Sequence, residues 1–164
     1  MRHGEDQVTL YTFGYEGLSI DIFVRRLAEA GVRTVVDVRE LPLSRKKGFS
    51  KQAFARVLSA AGIAYAHMPA LGCPKPIRDR YKKRDDWTAY TRAFSAYLAK
   101  QDAAIAELGK IARATTACLV CFEADFNRCH RSLVARAAAR TRPLRIAHLT
   151  PKTTIPDVAA RVAA

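Results

Sequence analysis

The chain has no run of about 18 consecutive apolar residues, and so no segment suited to cross a membrane as a helix. Its polar first seven residues lead into an apolar segment of only about seven, too short and too β-like for a secretory signal. Cysteine is scarce. The four present (Cys73, Cys118, Cys121 and Cys129) are too few to staple a domain of 164 residues, so reduced thiols and a cytoplasmic setting are expected. No Pro-, Gly- or Ser-rich linker divides the sequence, which points to one domain over residues 1–164 with loose ends at 1–7 and 157–164. Acidic residues are the other deficit: 15 Asp plus Glu stand against 28 Lys plus Arg, a net charge of +13. That balance favours anionic partners such as phosphorylated metabolites, nucleotides or nucleic acid, and says nothing about fold.

What is present is an alternation of strand and helix patterns. Val8–Gly14 reads as a strand closed by glycine, after which Ser19 caps a helix whose apolar face is Ile20, Phe23, Val24 and Leu27. Gly31 ends that helix and residues 32–38 form a β-branched strand. The unit then recurs: Ser50 caps, Phe54, Val57, Leu58 and Ala61 make the stripe, Gly62 stops it, and 63–67 is a strand. Residues 71–84 read as a loop rich in Pro, Gly and Lys. A long helix is expected from Trp87 through Leu108, with Gly109 as a break. Residues 117–122 form a buried strand, Leu133, Val134, Ala137 and Ala138 mark the following helix, and Leu144–Leu149 is a last strand before an irregular tail. Strands alternating with helices of this length require right-handed crossovers. The fold class expected is α/β, a single mostly parallel β-sheet of about five strands flanked by helices.

Open sheets of this kind bind ligands outside the carboxyl ends of their strands, so candidate chemistry is sought there. Side chains two apart share a strand face, which makes co-facial pairs of Asp37 with Arg39, Tyr65 with His67, and Cys121 with Glu123. The richest stretch runs from Cys121 to Arg131. With Asn127 as helix cap, Arg128, Cys129, His130 and Arg131 fall in a first turn, where free amides favour an anion or a thiolate. Glu123 at the strand end suits a general acid or base. The segment from Arg39 to Ser50 adds Ser44, Arg45 and two lysines at the next helix start.

Three other readings of the cysteines differ in weight. Cys118-x-x-Cys121 has redox spacing, but an odd step along a strand sends the two thiols to opposite faces. Zinc on Cys121, Cys129 and His130, completed by Cys73 or His67, has a spacing unlike a zinc finger, and adjacent Cys-His pairs seldom aim at one metal. No metal or other cofactor is therefore assigned. A cysteine-phosphatase or sulfurtransferase loop is disfavoured, because Arg128 stands one position too far and Glu123 and Asp125 repel an anion. Only Cys129 as the reactive thiol would rescue it.

Taken together, these segments resemble the domain of unknown function 488 family. The resemblance is carried by Thr12-Phe13-Gly14-Tyr15-Glu16-Gly17, by Asp37-Val38-Arg39 through Ser44-Arg45, by Gly62 to His67 with Leu71-Gly72, and by Cys121-Phe122-Glu123 leading into Cys129-His130-Arg131. It covers about residues 9–149 and departs at Phe126, where the pattern carries proline. It implies a compact α/β fold that gathers these residues on one surface, and it implies no particular reaction.

The expected function is an enzyme acting on a phosphorylated or nucleotide-like substrate at the strand ends. Glu123, His67 and Arg39 are the expected catalytic group. Tyr15, Ser44, Arg45, Cys129, His130 and Arg131 are the expected substrate contacts. The alternative is a nucleic-acid-binding module without catalysis, supported by the charge, by Lys82-Lys83-Arg84 and by Tyr81, Trp87 and Tyr90 nearby. A third reading makes the polar strand ends a buried network that only rigidifies the domain. No membrane partner is expected, and oligomeric state is left open.

Overall fold

In the computed structural model, which describes residues 7–158, every apolar stripe read above finds a partner layer. The elements in chain order are β1 (Val8–Gly14), α1 (Ile20–Glu29), β2 (Thr34–Asp37), α2 (Lys51–Ala60), β3 (Ala64–His67) and α3 (Lys75–Arg84). They continue with α4 (Trp87–Leu98), α5 (Asp102–Ala114), β4 (Ala117–Cys121), α6 (His130–Thr141), β5 (Leu144–Leu149) and β6 (Thr154–Pro156). Short 3-10 helices cover Pro69–Leu71 and Phe126–Arg128.

The strands form one six-stranded sheet in the order β3-β2-β4-β1-β5-β6. All neighbours are parallel except β6, which lies antiparallel on β5 at the edge. The fold is therefore α/β as expected, with one strand more than read from the sequence. That strand contains Pro156. As the last residue of an edge strand, Pro156 can lack a backbone donor without breaking a ladder on both sides.

The strand side chains alternate between two cores. Leu10, Val36, Leu119 and Cys121 face α4, α5 and α6, where they meet Phe94, Leu108 and Val134. Phe13, Val35, Cys118 and Val120 face the other layer and meet Phe23 and Leu27 of α1 and Phe54 and Leu58 of α2. Each fully buried side chain of this size is worth about 1.5–3 kcal/mol, so both sheet faces are strongly committed. Cys118 and Cys121 lie on opposite faces, which removes the redox pair as the period of two requires. Ser19 caps α1 through a hydrogen bond accepted from the Ile22 amide at 3.3 Å.

Three expectations change. Residues 71–84 are not a loop: Pro74 precedes α3 and Pro76 sits in its first turn, where a missing N–H costs nothing. The helix escaped an apolar-period reading because it has no buried residue. The long helix from Trp87 is two helices. The break falls at residues 99–101, while Gly109 is buried inside α5, close against the Arg142 side chain. Of the ends expected to be loose, 1–6 and 159–164 lie outside the described residues, whereas Asp157 is buried and bonded to Arg136 at 2.9 Å. Among the described residues no helix is long and apolar enough to cross a membrane.

Candidate functional site

The carboxyl ends of β1 and β4 are stitched together. Tyr15 N donates to Cys121 O at 3.2 Å, Glu16 N donates to Phe122 O at 2.8 Å, and Glu16 Oε1 accepts from Ala124 N at 2.9 Å. Gly14 permits this approach, because a Cβ there would overlap the Glu123 carbonyl and touch Arg131 Nη1. The loop after β4 then turns through a 3-10 helix capped by Asp125, which accepts from Asn127 N at 2.9 Å. Asn127 is therefore not the cap of α6. Cys129 is, in extended conformation (φ −136°, ψ 139°), and His130 is the first helical residue. The expectation of Arg128 and Cys129 in a helical first turn fails because Asp125 intercepts the turn two residues early.

That junction has a chemical consequence. The switch from extended backbone at Cys129 to helix at His130 lets two consecutive side chains converge on Cys121 at the end of β4. Cys121 Sγ and Cys129 Sγ lie 3.7 and 3.9 Å from His130 Nδ1, and 3.4 and 3.3 Å from Glu123 Oε2. His130 Nε2 sits 2.7 Å from the Val38 carbonyl oxygen, which fixes the ring proton on that nitrogen and turns Nδ1 toward the sulfurs. The Phe94 ring packs edge-on against His130, with centroids 5.4 Å apart.

Electrostatics in this cluster are coupled. The hydrogen bond it donates to Cys129 raises the Cys121 thiol well above the usual range, and burial adds to the rise. Burial opposes ionisation of Cys129 too. There it is outweighed by the Cys121 hydrogen bond, the Arg131 charge and His130, and the thiol falls well below the usual range. Burial would lower His130, but the Cys129 bond and charge, with Val38 and Glu123 adding, raise it. Burial raises the Glu123 carboxyl, and the Cys129 charge adds to the rise. Cys73 is a separate buried thiol, pushed up to about 11 chiefly by burial.

The cluster forms the floor of a cleft of about 630 Å³, a size suited to a small molecule. Lys75, Arg78 and Lys82 of α3 and Arg128 of the β4–α6 loop line it from the cationic side. Leu41, Leu43 and Phe122, exposed by 58, 76 and 44%, supply an apolar lip. Lys75 pairs with Asp79 at 2.6 Å and Arg78 with Glu40 at 3.3 Å. A second depression of about 700 Å³ lies along β5 and β6, but its lining (Gln7, Thr9, Arg145 and Thr154 among it) brings together no thiol, histidine or glutamate.

Arg39, expected in the catalytic group, and Arg131, expected to hold a substrate, are both bonded within the fold. Arg39 is buried. Its Nε and Nη2 hold both oxygens of Asp37 at 2.9 and 2.7 Å, and its Nη1 donates to Tyr15 Oη at 3.2 Å and to Phe49 O at 2.6 Å. Tyr65 completes the knot by donating to Asp37 Oδ2 at 2.6 Å. Arg131, fully buried, donates to Thr12 Oγ1 at 3.2 Å, to the Glu123 carbonyl, and to Ala124 O at 3.4 Å. These arginines set the positions of the loops after β2 and β4.

The other expected residues divide as follows. Glu123, Cys129, His130, Tyr15, Arg39 and Ser44 all line the cleft. Tyr15 already stacks on Phe49, with centroids 4.2 Å apart. The Ser44 hydroxyl accepts from the Lys46 amide at 3.1 Å. His67 does not line the cleft; its Nε2 lies 2.8 Å from the Arg39 carbonyl oxygen. Arg45 is exposed on the same loop as Ser44 and also lies outside the lining. The residues missed are Lys75 and Arg78, hidden by the reading of α3 as loop; Lys82 was named only as part of a nucleic-acid surface. The signal available was proline in a helix's first turn with Lys75 and Asp79 one helical turn apart. Of the aromatics weighed for base stacking, Tyr90 is buried and Trp87 stacks on it at 4.8 Å.

A family model described as Domain of unknown function DUF488 matches residues 19–138. No curated protein and no solved structure matches the chain.

Proposed function

The chain belongs to the DUF488 family, and on that footing we propose that it is an enzyme acting on a phosphorylated, nucleotide-like small molecule in the cleft at the strand ends. One observation carries the reading: a single cleft combines Glu123, Cys129 and His130 on its floor with Lys82 and Arg128 at its cationic rim and an apolar lip of Leu41, Leu43 and Phe122. A phosphate suits the rim, because cations there form charge-assisted hydrogen bonds. A flat base or sugar suits the lip. Glu123 is the proton-moving group, since its carboxylate faces the cleft between the two thiols. Arg39 and Arg131 act as positioning residues that hold Tyr15 and the Glu123 segment in register.

The test is a thermal-shift screen of wild type, Lys82→Ala and Arg128→Ala against inorganic phosphate, mononucleotides, sugar phosphates and short RNA. A mononucleotide should stabilise wild type by about 2.7 kcal/mol at a concentration of about 100 Kd. Each variant should bind it about tenfold more weakly, the worth of one charged hydrogen bond. Stabilisation by RNA alone, steeply salt-dependent and equal in all three proteins, would replace this reading with a nucleic-acid-binding module.

A further inference from the structure

We infer that Cys121 Sγ, Cys129 Sγ and His130 Nδ1 form a site for a zinc-type transition-metal cation, with the remaining coordination position facing the cleft beside Glu123. The three donor atoms belong to buried residues and all lie within 4.8 Å of one another. A tetrahedral zinc ion, with Zn–S of about 2.3 Å and Zn–N of about 2.0–2.1 Å, needs sulfur–nitrogen edges of about 3.5 Å. The two sulfur–nitrogen edges here are 3.7 and 3.9 Å, within a few tenths of an ångström of that requirement.

The second shell fits as well. Histidines that bind metals typically donate their other ring nitrogen to a carbonyl or carboxylate, which fixes the tautomer and the ring orientation. His130 Nε2 at 2.7 Å from Val38 O does this, and Phe94 packed against the ring limits its rotation. The donors arise from the end of β4 and the start of α6, so the set is held by two rigid elements. Two sulfurs and an imidazole form a soft set that selects zinc and its neighbours over magnesium or calcium, and two thiolates neutralise a divalent ion. The fourth ligands considered from sequence are absent from this group: Cys73 directs its sulfur to Pro74 O at 3.7 Å and His67 is held at Arg39 O.

Three protein ligands leave one position for water or substrate, the pattern of catalytic zinc. All three ligands and Glu123 line the cleft. A metal-bound water would there break one O–H bond, pass the proton to the Glu123 carboxylate and leave hydroxide on the metal. This last step rests on the enzymatic reading of the cleft; the metal site does not.

The experiment is a cobalt(II) titration of the full chain, freed of metal and kept reduced and anaerobic. We expect thiolate-to-cobalt charge-transfer absorption with tetrahedral ligand-field bands, saturating at one ion per chain and lost on adding zinc. Cys129→Ser and His130→Gln should weaken binding by about a hundredfold or more, beyond the effect of losing an outer-shell partner. Cys118→Ala, on the opposite sheet face, should titrate like wild type. Should Cys129→Ser fail to fold, the wild-type spectrum and His130→Gln decide alone. No charge-transfer band in wild type, or unchanged titration in both ligand variants, overturns the site. Mononucleotide stabilisation without any cobalt band would overturn the metal and leave the proposed enzyme standing. A one-to-one cobalt site in a protein that no anion stabilises would uphold the metal and remove the substrate.

Discussion

Two buried histidines near the carboxyl edge of the sheet are driven in opposite directions by their neighbours. His148 on β5 stacks on Phe126, with centroids 3.9 Å apart, and its Nδ1 lies 2.6 Å from Thr12 Oγ1. That hydroxyl also accepts from Arg131 Nε, and His148 Nε2 lies 3.5 Å from Asp157 Oδ2. Burial lowers the His148 pKa to about 4; Asp157 opposes this and the Arg131 charge adds to it. His130 is equally shielded, yet two sulfurs and a carboxylate surround it and it is raised. The first histidine is a neutral strut between α6, β1 and β5, and the second is a ligand-like group at the floor of a cleft. Phe126 belongs to the strut and is not among the residues lining the cleft.

The largest effect should come from breaking the strut. Arg131→Ala takes a charged donor from Thr12 Oγ1 and from the part-buried carbonyls of Glu123 and Ala124, and each charged hydrogen bond lost costs about 1.5–3 kcal/mol. Urea unfolding should show a loss of about 3 kcal/mol or more. A loss below about 1 kcal/mol would make Arg131 available for ligand binding after all.

Acid should sharpen the contrast next. The folded-state pKa of His148 is depressed from 6.5 to about 4, so below pH 6.5 the unfolded chain takes up a proton that the folded chain refuses. Its contribution is complete above pH 6.5 and is lost as pH falls toward 4, by about 2–3 kcal/mol. In His148→Gln that part of the stability–pH slope should vanish, which equilibrium unfolding at several pH values reads directly.

Gly14→Ala touches both regions, since the new Cβ meets the Glu123 carbonyl and Arg131. Overpacking of this kind costs about 1–3 kcal/mol, and here it also shifts Glu123. Chemical denaturation with a parallel nucleotide-binding titration should show both losses; a variant with only one would mean the two regions are uncoupled. Glu123→Gln should change stability least, by less than about 1 kcal/mol, because the side-chain hydrogen bonds its carboxylate accepts come from two thiols, which are weak donors. Turnover of any substrate found should fall by about 10²–10⁴-fold in the same variant, with nucleotide stabilisation retained. Equal falls in stability and turnover would class Glu123 with the strut.

The legible part of the fold was whatever local pattern enforces. The Ser19 cap of α1, the apolar stripes of α1 and α2, the β-branched runs and the two-residue period of β4 each needed only neighbours in sequence, whereas the Ser50 side chain caps nothing and bonds the Ser44 backbone. The carboxyl ends of the strands were legible for the same reason, and Glu123, Cys129 and His130 follow as site residues from where β4 has to end. Helix α3 was not, because only Ile77 and Tyr81 pack partly against the core and two residues make no apolar period, and with it went Lys75 and Arg78. The convergence of Cys129 and His130 was missed because it depends on the conformations of two adjacent residues, set by Asp125 holding the preceding turn.

By itself, then, the sequence determined the alternation of elements, the parallel sheet those connections demand, the opposite faces of Cys118 and Cys121, and the family. Tertiary structure decided how each polar group at the strand ends is used. Arg131 meets Thr12 across 119 residues of chain and Thr12 meets His148 across 136, and no local periodicity encodes such pairings. Whether a buried arginine or histidine is strut or site depends on which donors and acceptors surround it, and only the packed sheet brings those together.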